Sequence, residues 1–251
     1  MRKKIMITGA SSGFGKAMAH RFAKEGWSIV ITGRRKKILL ELAEELTAQY
    51  GAEVLVKVFD VQQRKEVFDV LANDEKLGDV DVVVNNAGLA LGRDYFDEAN
   101  LDDWETMIDT NLKGLLYVSK AMLPYLIKRG KGHIINIGST AGKEVYEKGN
   151  VYCATKTSVD AISQAMRIDM LRHQIKVTAI HPGAAETEFS IVRFKGDASM
   201  AKTVYEGYQP LKAEDVADTA FYCANLPEHV CINSVVMTCT SQANSFYLLR
   251  K

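Results

Sequence analysis

The stretch TGASSGFG, residues 8–15, decides how this sequence folds. It follows the apolar run IMIT (5–8) and precedes a helical pattern in which Phe14, Met18 and Phe22 recur every four residues. Glycines let a backbone approach a phosphate group closely, and the free amides at the start of a helix attract an anion. The spacing G-x-x-x-G-x-G differs from the usual fingerprint G-x-G-x-x-G, so a tight turn that binds nothing is the competing interpretation.

Strand-like and helix-like segments alternate along the rest of the chain. The strand-like runs are rich in Val and Ile and are continuous rather than alternating, which predicts a sheet covered by helices on both faces; they lie at 5–8, 28–32, 54–59, 80–85, 133–137, 176–181 and 234–238. Longer helical patterns occur at about 103–129, 152–172 and 213–225. We therefore predict a single α/β domain over residues 1–251, with a Rossmann-type, doubly wound parallel sheet of about seven strands flanked by helices.

Composition narrows the function classes. With 251 residues, 47% hydrophobic residues and a formal net charge of +1, the chain shows no basic surface for nucleic acid or for an anionic membrane. No apolar run approaches the ~20 residues of a membrane span, so we expect a cytoplasmic protein. The four cysteines form no C-x-x-C pair or cluster with histidines, which predicts free thiols and no metal ion.

The end of the second predicted strand indicates which nucleotide would bind. A cofactor with a free ribose 2′-hydroxyl is usually met there by Asp or Glu, but this strand ends in Thr32-Gly33-Arg34-Arg35. Two guanidinium groups match a 2′-phosphate, and cations at a helix start oppose the helix dipole, which disfavours the alternative of a merely solvated pair. Arg34, with Arg35 secondary, therefore predicts NADP rather than NAD.

A second group of residues suggests proton transfer. Tyr152 and Lys156 lie four residues apart in NVYCATK (150–156), on one face of a predicted helix. An ammonium group one turn away, together with the positive charge of an oxidised nicotinamide, would lower the pKa of the tyrosine, although a surface Tyr–Lys pair is also common. Ser139 follows the strand HIINI, at the edge where such sheets bind ligands. Asn111 is polar within an apolar helix pattern, which also suits a core amide bonded to backbone.

Taken together, these motifs resemble the short-chain dehydrogenase/reductase family over nearly the whole chain. They are TGASSGFG, Asp60-Val61, NNAG (85–88), Asn111, Ser139, the pair Tyr152/Lys156 and PGAAET (182–187). The resemblance implies that Ser139 orients the substrate oxygen, that Tyr152 exchanges its proton, that Lys156 binds the nicotinamide ribose, and that Asn111 holds a water. It also implies a homotetramer built on the long helices, and a set of further NADP contacts: Gly9, Ser11, Ser12, Gly13, Phe14, Gly15, Asp60, Val61, Asn86, Pro182, Gly183 and Thr187.

Within that family the chain is most similar to the NADP-dependent 3-hydroxy acid dehydrogenases. The similarity lies in NNAGLALG, DWETMIDTN, HIINIGSTAG and ETEFSIVRFKGD, whereas HVCINSVVMTCTSQ and Tyr146-Glu147-Lys148 depart from the group's pattern. A small 3-hydroxy acid of the serine, L-allo-threonine, 3-hydroxyisobutyrate or malonic semialdehyde type is therefore the expected substrate. Another ketone, sugar or 3-oxoacyl substrate, and a non-catalytic NADP-binding sensor, remain open.

The stretch 182–211 is long and irregular and contains three glycines and two prolines, so residues 184–211 within it are predicted to form a substrate flap. Phe189 and Phe194 would exclude water there, Arg193 would pair with the substrate carboxylate, and Gly196 would act as a hinge. The competing interpretation places Arg193 and Lys195 on a solvated surface, paired with Glu188 or Asp197. If Arg193 does not bind the carboxylate, Lys143 and Lys148 are the next candidates.

Overall fold

The computed structural model describes residues 2–251, which contain one seven-stranded, wholly parallel sheet in the order β3-β2-β1-β4-β5-β6-β7. The strands are β1 Lys4–Ile7, β2 Ser28–Gly33, β3 Val54–Val58, β4 Val82–Asn85, β5 Gly132–Ile137, β6 Ile175–Pro182 and β7 Ser234–Met237. The doubly wound fold predicted from the sequence is confirmed.

The helices lie between these strands and on both faces of the sheet. They are α1 Gly13–Lys24, α2 Lys36–Tyr50, α3 Arg64–Leu71, α4 Leu101–Ile108, α5 Leu115–Arg129, α6 Asn150–Met170, α7 Glu188–Arg193, α8 Ala198–Thr203 and α9 Ala213–Ala224. None of the helices in the described part of the chain is long and apolar enough to cross a membrane. The four cysteines are free, three of them buried and Cys231 partly so.

The strands are apolar along their whole length because both faces of the sheet are buried. In β1, Ile5 and Ile7 belong to one core cluster, whereas Met6, whose side chain points the opposite way, belongs to a second. The first cluster contains residues of α1, α2 and α9, and the second contains residues of α3 and α5. Each cluster fills one face of the sheet, which is why the run does not alternate with polar residues.

The order of the strands determines where on the sheet a ligand site can lie. Because β1 pairs with β2 on one side and β4 on the other, the direction of winding reverses at β1. In such sheets ligands bind beyond the carboxyl ends of the strands at this reversal. The glycine-rich loop after β1 and the Asn86 loop after β4 meet there.

The helix predicted at 103–129 is interrupted, contrary to expectation. Between α4 and α5, residues Asp109–Gly114 form a π-helical turn. Within it the Asn111 side chain bonds both backbone groups of Leu89, with its Oδ1 accepting from N and its Nδ2 donating to O at 2.8 Å each, and Nδ2 also donates to Thr155 Oγ1 at 3.1 Å. These long-range bonds favour the extra residue in the turn, and sequence periodicity does not reveal them.

The buried His133 predicts a loss of stability in acid. Its Nε2 lies 2.7 Å from Thr178 Oγ1 on β6, and burial, aided by the charge of Lys176, lowers its pKa to about 3. In the unfolded chain the histidine has an ordinary pKa of ~6.5, so below that pH the unfolded state binds a proton that the native state does not. The stability that the neutral His133 contributes is therefore present above pH ~6.5 and is lost as the pH falls toward 3. We expect this residue to have cost about 2 kcal/mol of stability by pH ~5, relative to neutral and higher pH.

Denaturant titrations at several pH values measure this loss at fixed protein concentration. His133→Asn should flatten the dependence of unfolding free energy on pH, whereas His229→Asn, at an exposed position, should leave it unchanged. Parallel curves for wild type and His133→Asn would contradict the prediction.

Candidate active site

The glycine-rich loop turns the chain from β1 into α1 and leaves the first amides of the helix free. Gly13 has φ +51°, a left-handed conformation that glycine adopts without strain, and a Cβ at Gly15 would come within 2.4 Å of the Gly9 carbonyl oxygen. Ser12 occupies the N-cap of α1, but its Oγ accepts a hydrogen bond from Arg35 Nη2 at 2.8 Å instead of capping those amides. The loop therefore has the form of an anion cradle.

Asn86 holds this loop from the neighbouring strand end. Its Nδ2 donates to the carbonyl oxygens of Thr8 at 2.8 Å and Gly9 at 3.3 Å, and its backbone N–H donates to Thr8 Oγ1 at 3.0 Å. The NNAG segment thus fixes the shape of the loop from β4.

The two arginines after β2 lie at the rim of the same cavity. Arg34 Nη1 lies 3.4 Å from Asp60 Oδ2, while Arg35 donates to Ser11 Oγ at 3.0 Å and to Glu188 Oε2 at 3.3 Å. Both guanidinium groups are exposed and adjoin the glycine loop. The pair forms a cationic rim on this cavity.

The predicted proton-transfer residues converge from three elements. Ser139 follows β5, and its Oγ accepts a hydrogen bond from Ala141 N at 3.1 Å. Tyr152 and Lys156 project from α6 and are 8% and 6% exposed. Lys156 Nζ donates to the Ile137 carbonyl oxygen at 3.0 Å, so it lies against the end of β5. Asn111 joins this group through Thr155 of α6.

Burial shifts the two titrating groups in opposite directions. It lowers the pKa of Lys156 to about 8, and together with Tyr146 it raises the pKa of Tyr152 above its ordinary value, against the opposing effects of Ser139 and Arg193. The sequence predicts a lowered pKa for Tyr152, but in the chain without cofactor this pKa is raised. Lys156 Nζ lies 6.0 Å from the Tyr152 ring centroid, and in the chain without cofactor the desolvation of the phenolate outweighs the lowering effects.

The flap brings Phe189 and Arg193 to the catalytic tyrosine candidate. The ring centroids of Phe189 and Tyr152 lie 5.7 Å apart. The partly buried Arg193 donates from Nη1 to Tyr146 Oη at 3.1 Å and from Nε to the Gly92 carbonyl oxygen at 3.4 Å. Its guanidinium carbon lies 5.6 Å from the Tyr152 ring centroid. Because these partners are neutral, none of them balances the charge of Arg193. Arg193 therefore presents a positive charge to the cavity beside Tyr152.

The surface pairs suggested for the flap are wrong. Lys195 pairs with Asp103 at 2.8 Å rather than with a flap carboxylate, Glu188 pairs with Arg35, and Asp197 caps α8. Lys195 meets Asp103 because the flap packs against α4 and the loop before it, whereas Glu188 meets Arg35 at the rim of the cavity.

The fallback carboxylate ligands also lie elsewhere. Lys143 pairs with Asp160 at 2.7 Å, and Lys148 lies 4.1 Å from the centroid of the Tyr95 ring. Neither lines the cavity, because local ion and ring contacts hold both side chains outside it.

One cavity of about 560 Å³ collects nearly all the predicted residues. Gly15 and Asn111 are the exceptions; both pack behind its wall. The members are Gly9, Ser11, Ser12, Gly13, Phe14, Arg34, Arg35, Asp60, Val61, Asn86, Ser139, Tyr152, Lys156, Pro182, Gly183, Thr187, Phe189 and Arg193. Over residues 2–251, no group of three or more His, Cys, Asp or Glu side chains is arranged to hold a metal ion.

Sequence reasoning missed some lining residues. Tyr146 lies six positions before Tyr152, in the segment that departs from the family pattern, and that departure was the one available signal. Arg93 follows Gly92, and Gln242 reaches in from the C-terminal segment, where its Oε1 accepts from Ala184 N at 2.8 Å. No local pattern marks either residue.

Comparisons with known proteins agree with this fold. The family model for short chain dehydrogenases matches residues 3–197. The chain is 45% identical over 241 residues to the NADP-dependent 3-hydroxy acid dehydrogenase YdfG of Salmonella typhi, covering 95% of this chain and 96% of that protein. It is 41% identical over 244 residues to serine 3-dehydrogenase of Rhizobium radiobacter, covering 97% and 96%.

A third relative differs in its named substrate. Sulfoacetaldehyde reductase 2 of Chromohalobacter salexigens is 45% identical over 245 residues, covering 97% of this chain and 96% of that protein. Among solved structures, the closed form of serine dehydrogenase complexed with NADP+ superposes with a TM-score of 0.92 at 42% identity, covering 99% of each chain.

Proposed function

The chain belongs to the short-chain dehydrogenase family, and we propose that it transfers a hydride between NADP(H) and the 3-hydroxy or 3-oxo carbon of a small acid. The observation that carries the proposal is the meeting of Ser139, Tyr152 and Lys156 with the cationic Arg193 in one cavity. The first three residues supply the chemistry of an alcohol dehydrogenase, and the fourth supplies a partner for an acid group.

The residues present fit NADP(H). The free amides at the start of α1 suit its pyrophosphate, and Arg34 and Arg35 suit its 2′-phosphate. When bound, the nicotinamide supplies or accepts the hydride. Asp60 would contact the adenine, and Val61, Thr187 and Pro182-Gly183 line the same cavity and would contact the rest of the cofactor.

In the reductive direction, Tyr152 gives its proton to the oxygen that Ser139 orients, and in the oxidative direction it takes that proton away. Desolvation favours the protonated phenol in the resting chain, which suits the role of acid. Lys156, held by the Ile137 carbonyl, places its ammonium on the cofactor side of α6, where it binds the ribose and stabilises the phenolate. Asn111 holds the water that links this lysine to solvent.

Arg193 is proposed to bind the acid group of the substrate. A desolvated carboxylate needs a cation or several donors, and this guanidinium is oriented by Tyr146 and Gly92 while its described contacts leave its charge without a carboxylate. A sulfonate has the same charge and acceptor oxygens, and one similar protein is named for sulfoacetaldehyde.

A substrate panel tests the function directly. Purified protein is mixed with NADP+ and serine, L-allo-threonine or 3-hydroxyisobutyrate, and with NADPH and malonic semialdehyde, sulfoacetaldehyde, a neutral ketone, a sugar and a 3-oxoacyl thioester. We expect the acids of three or four carbons to give the highest kcat/KM. Preference for a neutral ketone would favour another reductase, and NADPH binding with no turnover on any compound would favour a sensor.

Arg193→Met is expected to raise KM for a 3-hydroxy acid about tenfold or more, equivalent to about 1.4 kcal/mol, because it removes the proposed partner of the carboxylate. A neutral alcohol of similar shape should be affected far less. Steady-state kinetics on both substrates measure the difference. Lys195→Met is the matched control, since it removes the same charge from the same flap at a residue paired with Asp103.

Equal losses on both substrates in Arg193→Met would show that the residue only supports the flap. No loss on either substrate would contradict the assigned carboxylate site.

We also propose that residues 1–251 form one domain with a flap at about 184–211. Support comes from β7, which extends the sheet after the flap, and from Tyr205, whose hydroxyl donates to the Ala185 carbonyl oxygen at 2.7 Å and lies 2.6 Å from Ser190 Oγ. These bonds make the stretch a compact unit, with Gly196 as its hinge at φ +97°.

The remaining proposal is a cytoplasmic homotetramer. Exposed apolar side chains on and next to the long helices support assembly, namely Leu101, Leu116, Ile127, Ile168 and Leu171. Light scattering on the eluting peak of a sizing column gives the number of subunits.

A further inference from the structure

His181 is a fully buried histidine of β6 that has no part in the proposed reaction as described so far. Its ring lies directly against the backbone of Gly138, where an added Cβ would come within 2.4 Å of Nδ1. The ring therefore lies beside the peptide that leads into Ser139.

Each ring nitrogen of His181 faces an oxygen atom. Nδ1 lies 3.3 Å from the Ser139 carbonyl oxygen, and Nε2 lies 3.2 Å from Asp160 Oδ1. Asp160 belongs to α6, the helix of Tyr152 and Lys156, and its Oδ2 accepts a hydrogen bond from Lys143 at 2.7 Å. The ring thus links the loop that carries the serine to the helix that carries the tyrosine.

The position of the ring proton follows from these neighbours. The Ser139 carbonyl and the Asp160 carboxylate both only accept, so each contact requires a proton on the ring nitrogen that faces it. Burial, with the charges of Lys143 and Lys156, lowers the pKa of His181 against the opposing effect of Asp160, so the ring is neutral at pH 7. The neutral ring carries one proton. Among residues 2–251, Nδ1 has a partner of hydrogen-bond geometry in the Ser139 carbonyl, whereas Nε2 has none despite its proximity to Asp160, so we assign the proton to Nδ1.

We propose that His181 is a positioning residue, which donates from Nδ1 to the Ser139 carbonyl and so sets the direction of the serine hydroxyl relative to Tyr152. Gly142 N donates to the same oxygen at 2.9 Å. Two donors from different elements fix the rotation of the Ser139 peptide group, whereas a single donor would leave it free to rotate. This rests on the proposed function, because it assumes that Ser139 orients the reacting oxygen. Misorientation of that hydroxyl lowers kcat while leaving the cofactor contacts intact.

Three substitutions at position 181 separate this role from simple packing. In His181→Asn the amide nitrogen can occupy the place of Nδ1, in His181→Gln it reaches toward the place of Nε2, and His181→Leu fills the space without a donor. We expect His181→Asn to keep kcat within about threefold and the other two to lose about tenfold or more, with Kd for NADPH unchanged in all three. His133→Asn is the control, because it removes a buried ring from β5 whose hydrogen bond is to Thr178 rather than to Ser139.

A second measurement requires no variant. Long-range proton–nitrogen correlation spectra of the histidine rings in the wild-type protein, assigned through the β6 backbone, show which nitrogen carries the proton. We expect the His181 proton on Nδ1, and a proton on Nε2 would overturn the proposal. Equal kcat in His181→Asn and His181→Gln would also overturn it. A wild type that reduces no carbonyl of the panel would instead refute the proposed function, so the two failures are distinct.

Discussion

Tyr152→Phe is expected to lower kcat about a thousandfold, within the range of general acid–base catalysis, while Kd for NADPH changes by less than about threefold. The substitution removes only the transferable proton, since the ring stays against Phe189 and the helix is unaltered. Stopped-flow or steady-state turnover of the best substrate in the panel, together with NADPH fluorescence titration, measures both quantities.

Tyr125→Phe is the matched control for the loss of a hydroxyl. The Tyr125 hydroxyl donates to the Leu71 carbonyl oxygen at 2.7 Å, in the core between α3 and α5 and outside the cavity. Its removal should lower stability without lowering kcat. Near-normal turnover in Tyr152→Phe would overturn the assignment of the proton donor.

The same residue predicts the pH dependence of alcohol oxidation. In the chain without cofactor, burial raises the pKa of Tyr152. The oxidation rate can therefore rise below pH ~10 only if the ammonium of Lys156 and the charge of NADP+ lower that pKa in the complex. We expect kcat/KM to rise with pH through an apparent pKa well below ~10. Lys156→Ala should move this pKa upward and weaken NADPH binding as well, because one side chain serves both roles.

Arg34→Asp is expected to remove the preference for NADPH over NADH, which we place at about a hundredfold in kcat/KM for the wild type, or about 3 kcal/mol. The substitution replaces a guanidinium at the cavity rim by a carboxylate beside Asp60, so a 2′-phosphate would meet two like charges. Arg35→Ala should have a smaller effect, part of it through the loop, since Arg35 also holds Ser11 and Ser12.

Lys37→Asp makes the same change of charge three residues further on, at an α2 side chain that pairs with Glu41 away from the cavity. It should leave the cofactor ratio within about twofold, apart from a small screened field effect. Equal efficiency of the wild type with NADPH and NADH would refute the role assigned to both arginines.

The sequence by itself determined the sheet and predicted the chemistry of the site. Continuous Val- and Ile-rich strands, alternating with amphipathic helices, leave little choice but a parallel sheet covered on both faces, since each apolar surface must be buried. Three of the predicted features are local patterns, because each depends on the spacing within one turn or one helix: the glycine loop, the pair Arg34-Arg35 and the pair Tyr152/Lys156.

Only the tertiary structure decided which distant groups meet. The π-helical turn at Asn111 depends on Leu89 and Thr155, the partner of Lys195 is Asp103 rather than a neighbour in the flap, and Gln242 reaches the cavity from the C-terminal segment. The raised pKa of Tyr152 likewise comes from its burial, where Phe189 of the flap contacts its ring, and from the neighbouring Tyr146. Long-range packing and desolvation depend on how elements far apart in the chain stack against one another, and neither leaves a periodic trace in the sequence.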